Sequence, residues 1–264
     1  MADISAKDVQ ALRQRTGAGM MDAKKALVAS DGDADAAEKW LREQGLVKSA
    51  SRGDRENSEG AVAIGVSGNV AALVELKCET DFVAKNEGFI EVAQAIADQV
   101  AVEGQLGVDT LKDRVDDLKV LLKENIEVGR VVRVEAAEGN VLDTYLHKQD
   151  GRGKVGVIVE LAGGSEELAH DVAIHIAFTK PDYLSRDEVP SEKVAEERET
   201  LTTITRSEGK PEAALEKIVE GKLGGWFRDR VLLEQSFVRD EKKTIPQLLG
   251  GASIVRFGLI VIGS

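Results

Sequence analysis

One cysteine, Cys78, occurs in 264 residues. That excludes an internal disulfide and any cysteine-rich zinc site, and a reduced cytosolic setting fits it. No apolar run approaches the roughly 20 residues of a membrane-spanning helix. The longest, Ile254 to Ile262, is interrupted by Arg256. The first residues lack the apolar stretch of a secretory signal, so a cytoplasmic protein is expected. Positive charge is scarce: 35 Lys plus Arg face 47 Asp plus Glu, a net charge of −12. Nucleic-acid phosphates need a cationic face, so direct nucleic-acid binding is not expected. Aromatics are few, with two Trp, two Tyr and six Phe. A ring placed where no core requires it is therefore informative.

Signatures of chemistry are missing as well. There is no phosphate-binding GxxxxGK[ST] and no G-x-S-x-G. Gly17-Ala18-Gly19 lacks both the third glycine and the preceding strand of a dinucleotide fingerprint. His170 and His175 stand five apart, not at the i, i+4 spacing of a helical metal pair. No cofactor, metal or catalytic residue is expected.

What remains, 42% apolar and 31% charged residues, suits a folded α+β chain. Residues 1–47 read as a three-helix module. Ser5 caps the first helix, Met20 opens the second, and Ala34 to Gln44 form the third with Gly45 as its C-cap. Residues 48–59 are polar and read as a linker or an exposed helix extension. A core follows in two halves, 60–139 and 140–264. Ala61 to Val66 and Val70 to Leu76 pair as a hairpin through Gly68-Asn69. Helices are expected near 87–102, 109–125 and 166–178, and strands at Val128–Glu135, Val141–His147, Val155–Leu161 and Ser253–Val261. Between about 190 and 222, two charged helices broken at Gly209-Lys210-Pro211 read as a protruding antiparallel hairpin. Its stripes are Val194, Arg198, Leu201, Thr205 and Ala214, Ile218, Gly221-Lys222.

The two halves carry an internal duplication. Gly68-Asn-Val-Ala-Ala-Leu-Val-Glu-Leu76 matches Gly153-Lys-Val-Gly-Val-Ile-Val-Glu-Leu161 at five of nine positions. A helix follows each copy, and the first connection is nine residues longer than the second. Since the short connection suffices to turn the chain, the extra loop, Lys77 to Glu91, is free to carry function.

That loop holds Thr80-Asp81-Phe82-Val83. Either Thr80 or Asp81 merely caps a helix with Phe82 in the core, or Phe82, flanked by charges, is a wedge into a partner. Met20-Met21 precedes Lys24 and Lys25. Adjacent helical methionines cannot share a face, so at least one points outward as adaptable contact surface. His147 shares a strand face with Tyr145 and reads as an edge residue. On residues alone, a non-enzymatic interaction protein is the best reading.

At these positions the sequence resembles the bacterial elongation factor Ts family, the guanine-nucleotide exchange factors of elongation factor Tu in translation elongation. Leu12-Arg13-Gln-Arg-Thr16-Gly17-Ala-Gly19-Met20-Met21-Asp-Ala-Lys24-Lys25 resembles the family's first motif, and Glu75 to Asn86 its second. Further likeness runs through Tyr145-Leu-His147, His175 to Pro181, Lys217 to Lys222 and Leu233 to Val238. The resemblance implies an N-terminal UBA-like module, a core of two related α+β half-modules and an inserted helical hairpin. It implies that Thr80, Asp81, Phe82 and Val83 enter the partner's GTPase domain near the nucleotide's Mg²⁺, Phe82 as wedge and Asp81 disturbing the groups that organise the metal. Met20, Met21 and Lys24 would contact the same domain, and His147 would be a further contact position on the core, in a 1:1 heterodimer with elongation factor Tu that engages its GTPase domain and at least one further domain. Two departures stand out. The sequence ends at Ser264 without the C-terminal helix of several members, and Lys123-Glu124-Asn125 replaces a glycine-containing turn, so no contact is carried over there. Two alternatives stay open: an adaptor or chaperone-like protein built on the helical module, without exchange activity, and an enzyme with Asp81 and His147 as acid and base.

Overall fold

A computed structural model describes residues 4–16, 18–50 and 52–263. The N-terminal module consists of α1 (Ala6–Thr16), α2 (Met20–Ala29) and α3 (Ala34–Ala50). Ser5 and Asp8 cap α1 reciprocally: the Asp8 N–H donates to Ser5 Oγ at 3.2 Å, and the Ser5 N–H to Asp8 Oδ2 at 3.1 Å. Val9, Leu12, Ala23, Ala26, Leu27 and Ala37 close a small core, with Trp40 and Leu41 packed at its margin. The expected turn glycine Gly17 lies outside the described residues.

Gly45 does not end α3 as expected; the helix continues to Ala50. A Cβ at Gly45 would sit 2.6 Å from Val120 Cγ1. The glycine thus permits close approach of α3 to a core helix, α7 (Lys112–Leu122). Arg42 spans the same junction to Asp113 and Asp117, at 3.1 Å each.

The core begins with β1 (Glu59–Ser67) and β2 (Val70–Cys78), joined through Gly68 in the left-handed region (φ 60°). After the short helix α4 (Asp81–Ala84) come α5 (Glu87–Glu103), α6 (Leu106–Thr110), α7 and β3 (Glu127–Glu135). The single helix expected at 109–125 is two. Gly107 tucks against α5, where a Cβ would lie 2.6 Å from the Gln99 carbonyl carbon, and the chain turns at Leu111 before α7 starts. The second half holds β4 (Val141–Gln149), β5 (Arg152–Ala162), α8 (Glu166–Thr179), α9 (Ser191–Ser207), α10 (Glu212–Arg230), β6 (Ser236–Phe237), β7 (Asp240–Thr244), α11 (Ile245–Leu249) and β8 (Ser253–Val261).

Two antiparallel three-stranded sheets result, β1-β2-β3 and β4-β5-β8, with the duplicated segments as their central strands. Alternation explains their near-continuous apolar character. Ala72, Val74, Leu76 and Cys78 face α5, while Ala71 and Leu73 face the other sheet. Likewise Val155, Val157, Val159 and Leu161 face α8, and Ile158 faces inward. The layers are therefore helix, sheet, sheet, helix. Asn86 and Ser165 cap α5 and α8 with side-chain oxygens at 3.2 Å from the N–H three residues on.

The inner faces also hold one carboxylate per repeat. Glu75 is gripped by Arg130 of β3 through two bonds of 2.9 Å, and Glu160 by Arg256 of β8 at 2.8 Å. Burial pushes both carboxyls upward, but hydrogen bonds from Arg130 to Glu75, and from the Asn140 amide and the Ala137 N–H to Glu160 with the Arg256 charge beside them, outweigh it and hold both below the ordinary glutamate range. Arg130 also donates to the Val261 carbonyl at 2.5 Å, stitching one sheet to the other.

The helical hairpin forms as an antiparallel pair, but the buried face of α10 is Leu215, Val219, Leu223 and Phe227 rather than Ala214 and Ile218. The helix runs to Arg230, and its root at Phe227 and Val231, packed with Val189, fixes the rotation one position away from the expected stripe.

His175, on α8, is fully buried. Its Nδ1 accepts the Val238 N–H at 3.2 Å and its Nε2 lies 2.9 Å from Gln235 Oε1. One nitrogen accepts and the other donates, so the ring is neutral. Burial pushes its pKa below the ordinary 6.5, the Gln235 bond opposing only in part. As pH falls below about 6.5, the unfolded chain takes up a proton that the folded ring refuses, so stability declines. Chemical denaturation at pH 7.5 and 5.5 checks this: His175→Asn, whose amide oxygen can still accept from Val238, has a flatter pH dependence than the parent. Packing gives a second test. A Cβ at Gly65 would stand 2.1 Å from the Ala97 carbonyl oxygen, whereas at Gly221 it meets nothing within 4 Å. Gly65→Ala lowers stability by about 1–3 kcal/mol, and Gly221→Ala, inside α10, raises it by about 0.5–1 kcal/mol; denaturation midpoints measure both.

Candidate functional site

The longer connection of the first repeat leaves β2 at Cys78 and turns immediately into α4. Thr80, with extended backbone (φ −124°, ψ 154°), caps this single turn by accepting the Val83 N–H at 3.4 Å. Val83 and Ala84 pack against the core beneath α5. With the turn anchored on that side, Phe82 is carried outward and stands 81% exposed. The capping reading of Thr80 thus holds, while a core position for Phe82 does not. An exposed phenylalanine costs solvation unless a partner covers it.

Asp81 makes an i, i+4 ion pair with Lys85 at 2.6 Å. The Lys85 bond holds its carboxyl below the ordinary aspartate range, so at neutral pH a carboxylate stands beside the exposed ring. The charges of Arg152 and Asp150, at the β4–β5 turn, also act on this pair. Buried Arg152 itself donates to the Gly60 carbonyl at 2.9 Å and pairs with Glu59 at 2.7 Å. The Thr80–Val83 segment and the β4–β5 hairpin therefore share one end of the core.

His147 lies exposed on β4, an edge strand, which runs two residues past it to Gln149. Its ring stacks on Tyr145 at 6.4 Å, and Tyr145 meets His170 edge-on at 6.2 Å. His170 in turn contacts Asp143 at 3.1 Å. Period two brings 143, 145 and 147 to one face, and sequence could have placed them there. Only the fold adds His170 from α8.

Met20 and Met21 are both exposed, at 51% and 66%, one more than the outward methionine required. Lys24 and Val28 continue the face of Met20 at i+4 and i+8, while Ala23, Ala26 and Leu27 take the buried side. The exposure of Val28 was legible in that spacing and adds to the surface. This face belongs to the N-terminal module, whose junction with the core runs through α3 and α7.

Cys78, buried directly under the segment, bonds the Thr80 carbonyl at 3.2 Å, and burial pushes its thiol up to about 12. Among the described residues no group of three His, Cys, Asp or Glu could hold a metal, and no helix is long and apolar enough to cross a membrane. The arrangement offers contact surfaces: an exposed ring with an adjacent carboxylate, and an apolar helix face edged by lysine.

Residues 79–264 match the family described as Elongation factor TS. The chain is 45% identical to elongation factor Ts of Kineococcus radiotolerans, over 96% of both chains. It is 41% identical to that of Clavibacter michiganensis subsp. michiganensis over the full length of both, and 43% identical to that of Pseudarthrobacter chlorophenolicus over 96% of both. With a mixed α+β fold, a projecting phenylalanine segment and relatives matched end to end, the chain belongs to the elongation factor Ts family, the nucleotide exchange factors of elongation factor Tu, which act in translation elongation without catalytic chemistry of their own.

Proposed function

We propose that this chain accelerates nucleotide release by inserting Phe82 into the GTPase domain of elongation factor Tu, with Asp81 disturbing the groups that organise the nucleotide's Mg²⁺. The observation that carries this reading is the 81% exposure of a phenylalanine whose two following residues are anchored. Thr80 and Val83 hold the turn; Phe82 and Asp81 do the work. Met20, Met21 and Lys24 form a second contact on the same domain, and His147, on the core, a third contact with the partner. We further propose a 1:1 complex, since two related half-modules within one chain supply the pseudo-symmetry that a homodimer would otherwise give. In this reading residues 1–47 dock, the two core halves present the wedge and His147, and the hairpin at about 190–222 lies apart from the exchange site.

Energetics follow from linkage. A factor that binds the nucleotide-free partner better than the GDP-bound one must weaken GDP by the same coupling with which GDP weakens it. Burying one phenylalanine is worth about 1.5–3 kcal/mol, or about one to two decades of affinity at 1.4 kcal/mol per decade. That coupling exists only if the ring is free before the encounter, since a ring already buried at home gains nothing on docking. Lost charge-assisted Mg²⁺ and phosphate contacts add to it.

Stopped-flow release of fluorescent GDP from elongation factor Tu tests the wedge. Phe82→Ala slows release at saturating factor by at least about tenfold, with an unchanged denaturation midpoint; undiminished release would falsify the proposal. Met20→Ala/Met21→Ala should behave differently. The concentration of factor needed for half-maximal release rises several-fold while the rate at saturation is retained, because docking surface contributes equally before and after the nucleotide loosens.

A further inference from the structure

Four residues make one helical turn, and one turn has no stability of its own. The conformation of α4, and so the direction of Phe82, must be imposed from outside. Val83 and Ala84 fix its inner side. Its entrance is held by the turn between α7 and β3, residues Lys123-Glu124-Asn125.

Glu124 directs both carboxylate oxygens at the segment. Oε2 accepts the Glu79 N–H at 3.0 Å and the Thr80 N–H at 3.1 Å, and Oε1 accepts the Thr80 hydroxyl at 2.5 Å. A threonine hydroxyl has a single proton. With that proton committed to Glu124, an oxygen lone pair is left for the Val83 N–H, which closes the first turn. The return bond is also present: Glu79 Oε1 accepts the Asn125 N–H at 2.7 Å. The Asn125 amide donates to the carbonyls of Gly53 and Arg55 at 3.1 and 2.8 Å, and Arg55 pairs with Glu79 at 3.4 Å. Three chain segments, 53–55, 79–80 and 124–125, are thus cross-linked behind α4. Lys123 adopts the left-handed conformation (φ 60°) at the end of α7, which brings Glu124 around to face the segment.

We propose that Glu124 is a positioning residue for nucleotide exchange: acting through Thr80, its carboxylate pre-sets the turn that aims Phe82, so that docking does not have to order it. This inference rests on the wedge reading. Pre-ordering changes how much of the docking energy reaches the nucleotide site, so its loss shows in the release rate at saturation rather than in the concentration needed to reach it.

The test measures fluorescent-GDP release from elongation factor Tu over a range of factor concentrations with Glu124→Ala, Phe82→Ala and the double variant. Glu124→Ala should lower the saturating rate by about tenfold, the scale of losing hydrogen bonds to a charged group. Because Glu124 acts through the ring, the double variant should be no slower than Phe82→Ala alone. A saturating rate for Glu124→Ala equal to the parent's overturns the inference while leaving the wedge standing. So does a double variant whose losses multiply. Full activity of Phe82→Ala overturns the wedge, and this inference with it. If Glu124→Ala fails to fold, Glu124→Gln takes its place: it keeps the side-chain volume and one acceptor oxygen but replaces the other by an amide donor, so the saturating rate should still fall, and a parent rate in the folded variant overturns the proposal.

Discussion

Two sheets packed face to face at very short range are the constraint from which the rest of the molecule follows. Val62, Leu73, Ile158 and Ile260 fill the shared interior. Gly156 and Gly258 let the layers close: a Cβ on either would approach within 2.6 Å of a valine on the opposite sheet. Both central strands are then covered on both faces. Any polar side chain turned inward must bring its partner with it, and both repeats meet that requirement in the same way, with a glutamate on the central strand and an arginine on the third. The arginines are about half exposed, so the buried member of each pair is the glutamate, and Glu160 is further held by the Ala137 N–H and the Asn140 amide, at 2.9 and 2.7 Å.

With the sheets fixed, each β-to-α connection emerges at a defined end of the core. In the second repeat, Ala162 to Ser165 simply passes the chain into α8. In the first, the same exit from β2 carries α4 and its projecting ring before α5 begins. Scaffold and function are thus separable in one chain: one copy of a duplicated unit is embellished, and the other, through Arg152 and the β4–β5 hairpin, helps hold the embellished end. A ring held 81% exposed on a single helical turn needs such a division, because that turn has no stability of its own and has to be presented by something that does not yield.

Much of this was legible in the residues. The duplication located both central strands, and the surplus length of one connection located the segment bearing Phe82. Strand periodicity put Tyr145 and His147 on one face. What was not legible depended on contacts between residues far apart in sequence. Gly45 resembles a helix terminator, yet its role is set by Val120, which no local pattern connects to it. The buried stripe of α10 is rotated by its root at Phe227, beyond the hairpin proper. Glu124 is one carboxylate among 47 acidic residues, and nothing within its own segment marks it as the residue that receives Thr80. Such roles belong to the tertiary structure, since short-range propensities carry no information about a partner 44 residues away.

Cys78 has a consequence of its own. Its sulfur lies under the Thr80–Val83 segment, and the reactive species of any thiol is its thiolate. Burial pushes that thiol up to about 12, so the anion is scarce at neutral pH. Peroxides and disulfides consequently find little thiolate beneath the projecting ring. The lone cysteine is thereby screened from oxidation, and among the described residues the exposed sulfurs are those of Met20 and Met21 on the N-terminal module.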